Sequence, residues 1–513
     1  MTTMTSEPTV REFPGFSEDV PLDLANLSPA AEAGILARLV DKSHDAFAQT
    51  AAGVGYCAHP IRLTGSSTTI DTATGEVLSS FSSTDAPLGV LYRACGNRRA
   101  DVCPSCSRTY ARDTFAMIKS GVAGGKTVPE TVADNPLLFV TLTAPSFGHV
   151  HGSHGKNGQK SGARCRPRDR VKVCDHGRRI GCMAVHDHDD PIVGTPLCAD
   201  CYDWTSAVVW QWWAPELWRR TTIALRRAVA AELQVSERHL KRVASVQFAK
   251  VAEYQARGLV HFHALIRIDG PDGPGSPSPL LGDQLAALVD QAARSVTYTA
   301  PAVDDNDQPR RLAWGNQIDV RVVRAGSRTD DPTGALTAEQ VAGYLAKYAT
   351  KDASSLREDD QRLRPHLDRL ARTARDLADR GRRNDHVHSP YRLLGKWAHM
   401  LGFRGHFSSK SRRYSVTLGA LRRARHRFQQ LAAEARRTGN PLDVRDLEAR
   451  LLAEDEDTTL VVGEWRFQGT GWPNAGDEAL ALAAAARARE YDQWRASKIN
   501  KFQDQLADGE EWV

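Results

Sequence analysis

The sequence contains no apolar run that approaches the roughly 18–20 residues of a membrane-spanning helix. Its first ten residues hold neither a basic start nor an apolar stretch, so no signal peptide is read. These two absences predict a cytoplasmic protein. No cysteine lies before Cys57 or after Cys201. The nine cysteines are an odd number, and a cytoplasmic chain disfavours disulfides, so the thiols point to zinc or redox chemistry. A P-loop is also missing. Gly124-Gly-Lys-Thr127 imitates one, but Ser120 stands where the motif needs glycine, and Pro129 follows where a helix should open. No internal repeat is visible. Asp and Glu are absent from residues 399–427, which carry eight Lys or Arg, whereas residues 454–457 are wholly acidic.

What remains is ordinary in bulk and unusual in detail. At 513 residues the chain exceeds a single core. Hydrophobic residues at 41% and charged residues at 25% fit a soluble globular protein. The net charge of +5 is mild, so the local basic stretch says more about a phosphate-bearing partner than the total does. Residues 1–45 read as a tail followed by a short helix, and residues 46–125 hold the first cysteine group. Residues 136–143 read as a buried strand. Residues 148–201, rich in Gly, His, Cys and Arg, show no periodicity and read as an insertion that needs metal to fold. A helix over 204–233, strands over 243–254 and 259–268, a Gly/Pro linker over 269–279, a helix over 281–296, a strand over 317–323 and a helix over 338–351 follow. This order predicts an α+β fold with an antiparallel-rich sheet and packed helices. Residues beyond 355 read as mostly helical.

Leu259-Val-His-Phe-His-Ala-Leu-Ile266 places two histidines on one face of a strand, with Phe262 on the other. His261 and His263 alone would equally be two structural histidines. Glu253, eight residues earlier across a hairpin turn, completes a carboxylate–imidazole set that suits Mg²⁺ or Mn²⁺ and leaves positions open for phosphate oxygens. Tyr344-Leu-Ala-Lys-Tyr-Ala-Thr-Lys351 places Tyr344 and Tyr348 one helical turn apart, with Lys347 and Lys351 on a neighbouring face. A deprotonated tyrosine can displace a 3′-oxygen from phosphorus and form a 5′-phosphotyrosine, and a nearby lysine can neutralise phosphate charge. The same pattern also fits a half-buried amphipathic helix.

Cys57, Cys95, Cys103 and Cys106 make one zinc site, with His59 competing for the first position. Cys198 and Cys201 form a second knuckle, completed by Cys174 and Cys182, with Cys165, His176 or His186 as substitutes. Two structural zinc ions are expected, because full thiolate coordination leaves no open position for substrate. In the basic stretch Arg404, Lys410, Arg412 and Arg413 alternate with Phe403, Phe407 and Tyr414, a pattern that suits stacked bases and neutralised phosphates.

In combination, Glu253, His261-Phe-His263 and Tyr344-x-x-Lys347-Tyr348-x-x-Lys351 resemble the HUH endonucleases that initiate rolling-circle replication. The two-tyrosine spacing is similar to that of the gene A initiators of small phages, and Pro136-Leu-Leu-Phe-Val-Thr-Leu-Thr143 resembles the first motif of that superfamily. Cys95-Gly-Asn-Arg-Arg99, Cys103-Pro-Ser-Cys106, Pro196-Leu-Cys-Ala-Asp-Cys201 and Gly405-His-Phe-Ser-Ser-Lys-Ser-Arg-Arg-Tyr414 resemble the initiators of actinobacterial plasmids and integrative elements. The resemblance spans roughly residues 50–425. It implies an HUH endonuclease domain over 135–355 carrying a zinc-binding insertion at 149–203, a zinc module over 46–125 and a basic, mostly helical region over 356–513. It also implies nicking of single-stranded or hairpin origin DNA through a tyrosine, a Mg²⁺ or Mn²⁺ ion, and reliance on a host helicase and polymerase. An HUH transposase and a non-catalytic zinc-dependent DNA-binding regulator are the alternatives. The tyrosine motif follows the histidine motif, as in initiators and some transposases and unlike conjugative relaxases.

Overall fold

The computed structural model describes residues 27–153, 164–187, 190–324, 340, 342–345, 365–385, 388–453 and 459–509. The chain divides into two compact units, residues 1–110 with 454–513, and residues 111–453. Both are mixed α/β with antiparallel sheets. Among the described residues no helix is long and apolar enough to cross a membrane.

In the first unit, α1 (Pro29–Val40) and α2 (His44–Gly53) precede β1 (Ile61–Asp71), β2 (Val77–Ser82) and β3 (Leu91–Arg93). The first predicted helix is present as α1. Ser28 caps it through Oγ, and a proline at its start needs no donor there. The strand Thr459–Thr470 pairs antiparallel with β1 along its whole length. It interrupts the region read as mostly helical. Its Val461, Val462, Trp465 and Phe467 are β-branched or aromatic, which favours a pleated strand. Phe47, Tyr92 and Trp472 pack around the buried Cys57 and Cys103.

The second unit is built on a five-stranded sheet whose strands lie side by side in the order Ser408–Lys410, Ser245–Tyr254, Val260–Asp269, Leu137–Leu142, Ile318–Arg324. Its strands are β4 (Leu137–Leu142), β5 (Ser245–Tyr254), β6 (Val260–Asp269), β9 (Ile318–Arg324) and β10 (Ser408–Lys410). A separate ribbon pairs β7 (Thr297–Ala300) with β8 (Arg310–Ala313). The period-two alternation of side chains divides this sheet between two cores. Val140, Leu142, Ala252, Phe262 and Ala264 face the larger core beneath the helices Trp204–Glu232 and Gly282–Ser295. Leu137, Val251 and Leu265 face the opposite way, toward Ile118, Leu345 and Tyr414.

β5 and β6 form a hairpin. Gly258, at φ +78°, takes the left-handed conformation of its turn, and a Cβ there would lie 2.7 Å from Leu370 Cδ1. Gln211, fully buried on Trp204–Glu232, clamps this turn. Its Nε2 donates to the Gly258 carbonyl at 3.0 Å, and its Oε1 accepts from the Val260 amide at 2.9 Å.

Candidate metal centre and its neighbours

The hairpin register sets Glu253 directly opposite His261, with Val251 opposite His263. All three polar side chains therefore project from one sheet face, the face that also carries Val251 and Leu265. Glu253 Oε2 lies 3.0 Å from His261 Nε2 and 3.1 Å from His263 Nε2. Two ligands at right angles, each about 2.1 Å from an octahedral ion, stand about 3.0 Å apart, so the spacing fits Mg²⁺ or Mn²⁺. Burial would raise the Glu253 carboxyl, but hydrogen bonds from both imidazoles outweigh it and hold the group at about 2. Burial also keeps the His263 imidazole below its ordinary value, against the pull of Glu253. The donor set is one carboxylate and two imidazoles, a combination that suits a hard divalent ion.

Thr141, on β4 opposite His263, reaches His263 Nδ1 through Oγ1 at 3.0 Å. With Nδ1–H donated to this hydroxyl, a bound ion would take the Nε2 lone pair in place of the hydrogen bond to Glu253. Sequence reasoning quoted the Thr-Leu-Thr motif without assigning Thr141 this contact; its signal was the place of that motif on the neighbouring strand. Gln211 carried no sequence signal at all.

Tyr344 is brought to the same place. Its hydroxyl lies 3.4 Å from both Glu253 Oε2 and His263 Nε2. Its ring stands edge-on to His263 and Phe139, and 39% of the residue remains exposed. The site therefore joins three groups that could hold a metal ion to an accessible phenol. Lys347, Tyr348 and Lys351 lie outside the described residues.

Among the described residues, three further clusters each gather four Cys or His ligand atoms within 4.8 Å of one another. The first is Cys57, Cys95, Cys103 and Cys106, as expected, and His59 is not part of it. Sulfur pairs stand 3.7 Å (Cys95–Cys106) and 3.8 Å (Cys103–Cys57) apart. Sulfurs about 2.3 Å from a tetrahedral zinc would be separated by about 3.8 Å. Hydrogen bonds from Cys106 and Cys57 hold the Cys103 thiol far below its ordinary range, and the same contacts push Cys57 and Cys106 up. The second cluster is Cys174, His176, Cys198 and Cys201, with His176 Nδ1 3.3 Å from Cys201 Sγ. Cys182 does not belong to it. The backbone pairing of Cys182 with Arg166 turns its thiol toward His186, and His176 supplies the fourth ligand atom instead. The third cluster is His151, Cys165, Cys182 and His186, so three clusters stand where two sites were expected. These Cys/His groups can hold zinc structurally.

The basic stretch differs from its expected form. Phe403, Phe407 and Tyr414 are all buried, so they cannot stack on bases. The reason is that this segment crosses the sheet edge: β10 pairs with β5, and the neighbouring rings fill the two cores. Lys410 Nζ donates to the Ser415 carbonyl at 2.7 Å, and burial lowers its ammonium to about 8. The Arg404 guanidinium lies 4.4 Å from the centre of the Trp212 ring. Arg412 and Arg413 are exposed. Gly124-Gly-Lys-Thr127 forms a tight turn in which Gly125 and Val128 exchange backbone hydrogen bonds.

With this geometry in place, comparison with known proteins is informative. The family model described as "RepSA: Replication initiator protein, pSAM2" matches residues 43–486. A replication initiator protein from Streptomyces ambofaciens is 40% identical over 496 residues, covering 95% of this chain and 97% of that protein. No solved structure gives a significant match. The resemblance drawn from the motifs is borne out at the level of the family, and the chain belongs to the RepSA family of replication initiator proteins.

Proposed function

We propose that this initiator nicks one strand of its origin by HUH-type transesterification. The observation that carries the reading is the meeting of Tyr344 Oη with Glu253 and His263 at 3.4 Å, on the face where His261 completes the donor set. Glu253, His261 and His263 would hold a Mg²⁺ or Mn²⁺ ion, which when bound supplies Lewis-acid charge to the scissile phosphate. Thr141 orients His263. Tyr344, once deprotonated, forms the phosphorus–oxygen bond while the 3′-oxygen leaves and takes up a proton. The product is a 5′-phosphotyrosine and a free 3′-hydroxyl that primes the host polymerase. The phosphodiester energy is retained, so rejoining needs no ATP. Lys347 and Lys351 would neutralise phosphate charge, and Tyr348 would serve a second transfer. In this reading residues 135–355 are the endonuclease domain with its insertion at 149–203. Unwinding falls to a host helicase, and Arg412 and Arg413 contact the DNA backbone, with Arg404 and Lys410 lining the same strip.

The test is a nicking assay on supercoiled origin DNA, followed by digestion of the adduct and mass spectrometry of the modified residue. Metal-dependent nicking with Tyr344 or Tyr348 on the 5′ end is expected. Nicking that survives the double change Tyr344→Phe, Tyr348→Phe refutes the nucleophiles. Insertion of transposon-end DNA would mark a transposase, and DNA binding without any nicking a regulator.

A further inference from the structure

We propose that His151, Cys165, Cys182 and His186 bind a third zinc ion, and that this ion braces the hairpin turn carrying Glu253 and His261. The donor atoms trace the edges of a tetrahedron. With Zn–N near 2.05 Å and Zn–S near 2.3 Å, nitrogens stand about 3.3 Å apart and sulfur–nitrogen pairs about 3.6 Å apart. The observed separations are 3.3 Å for His151 Nδ1–His186 Nε2, 3.8 Å for Cys165 Sγ–His151 Nδ1 and 3.4 Å for Cys182 Sγ–His186 Nε2. Two thiolates and two imidazoles in this geometry select zinc over Mg²⁺, Ca²⁺ or Mn²⁺.

The surroundings are those of a built site. His186 Nδ1 meets Asp190 Oδ2 at 2.8 Å, the carboxylate–histidine contact that fixes the other ring nitrogen as ligand. The Gly152 amide donates to Cys165 Sγ at 3.2 Å, as expected for a thiolate. Cys165 and His186 are buried. The four ligands come from three stretches joined by backbone bonds and by Arg166 Nε, which donates to the Val150 carbonyl at 3.1 Å. Arg166 and Cys182 exchange backbone hydrogen bonds, and His151 bonds to Thr195 and Gly194. Among the described residues 164–201, Val193 is the one buried aliphatic side chain, so an ion would supply closure that an apolar core does not.

Closure has a consequence for the hairpin. Gly194, bonded to His151, sits so close to the turn that a Cβ would lie 2.3 Å from the Ala256 carbonyl carbon. Ala256 lies between Glu253 and His261 in the turn. Arg257, next to it, donates to the Ala144 and Pro145 carbonyls at 2.7 and 2.8 Å, just past the end of β4. Through Gly194 the cluster thus abuts the turn at Ala256, while Gln211 holds it at Gly258 and Val260, and its role is positioning.

The test counts metal. Native mass spectrometry of the full chain, in buffer that strips Mg²⁺ and Mn²⁺, should show one zinc fewer in Cys165→Ser, Cys182→Ser than in the parent. An unchanged count overturns the site. Asp190→Asn preserves the ligands and keeps the proposal testable if the double variant misfolds. One zinc should then exchange to a chelator with about 10- to 100-fold weaker affinity, and an unchanged affinity overturns the site. Hydrogen exchange supplies the second arm. Residues 255–259 should exchange faster in the double variant and not in Cys57→Ser, Cys103→Ser. Loss of the ion with unchanged exchange there refutes the bracing role.

Discussion

Replacing Gln211 by leucine tests whether the hairpin register depends on one buried amide. The side chain has similar volume, so the larger core keeps its packing. What is lost is the donor to the Gly258 carbonyl and the acceptor for the Val260 amide, at 3.0 and 2.9 Å. Both backbone groups sit in buried residues, with no water to replace the amide. Each unsatisfied group costs about 1–3 kcal/mol, so the substitution should destabilise the second unit by about 2–6 kcal/mol. That is a large share of the roughly 5–15 kcal/mol that holds a domain together. Urea unfolding followed by tryptophan fluorescence is the assay, because Trp210 and Trp212 flank the position. The midpoint should fall while the slope is kept. Gln211→Glu restores only the acceptor and should rank between parent and leucine variant, or below the latter where the carboxylate opposes the Gly258 carbonyl. A loss under about 0.5 kcal/mol, the range of ordinary surface changes, would refute the clamp.

Three further outcomes are expected. Thr141→Val should weaken divalent-ion affinity about 10- to 100-fold by freeing His263 Nδ1, measured by calorimetric Mn²⁺ titration; unchanged affinity would remove Thr141 from the site. Cys57→Ser, Cys103→Ser should abolish cooperative unfolding of the first unit, whose core is built around those sulfurs, and calorimetry would reveal a missing transition. Lys250 is buried with its ammonium over the Phe262 ring, and desolvation lowers that ammonium from 10.5 to about 7. The unfolded chain therefore binds more protons between these values, so this group makes stability rise with pH from about 7 to about 10, at no more than about 1.4 kcal/mol per pH unit. Lys250→Met should flatten that rise, read from urea midpoints at pH 7 and pH 9.

The legible parts of the fold were those with local signals. The helix Trp204–Glu232 and the hairpin strands follow periodicity, whereas the register that sets Glu253 opposite His261 is given by the structure and not by the spacing. The pairing of β1 with Thr459–Thr470 joins residues about 400 positions apart, and nothing local encodes such a register. The cysteine sets show the same division. Cys-x-x-Cys knuckles are readable because both ligands lie on one turn. Cys174 and Cys182 are only eight residues apart, yet the bridge between Arg166 and Cys182 and the bridge between Val173 and Arg179 send them to different clusters. His151 lies in His149-Val-His151-Gly-Ser-His154, where three histidines compete and the spacing does not say which one faces Cys165. Burial of Phe403, Phe407 and Tyr414 was hidden for a related reason: cation–aromatic alternation is the same on a DNA-facing strip and on an edge strand whose rings turn inward.

The donor chemistry separates the centres without reference to any relative. Thiolates dominate the Cys57 cluster and share the Cys174 and His151 clusters with imidazoles, and four such ligands fill a tetrahedron. An ion there has no vacant position, so its contribution is to folding. The Glu253–His261–His263 set offers one hard carboxylate oxygen and two imidazole nitrogens, all from one sheet face. Three ligands on one face of an octahedron would leave the opposite face free, and the Tyr344 hydroxyl lies 3.4 Å from two of the three groups. Moving a soft ligand into this set, as in His261→Cys, should therefore shift its preference from Mn²⁺ toward zinc. Competition titration would show the exchange, and retained Mn²⁺ preference would mean that the strand geometry, rather than the donor atoms, sets the selectivity of the centre.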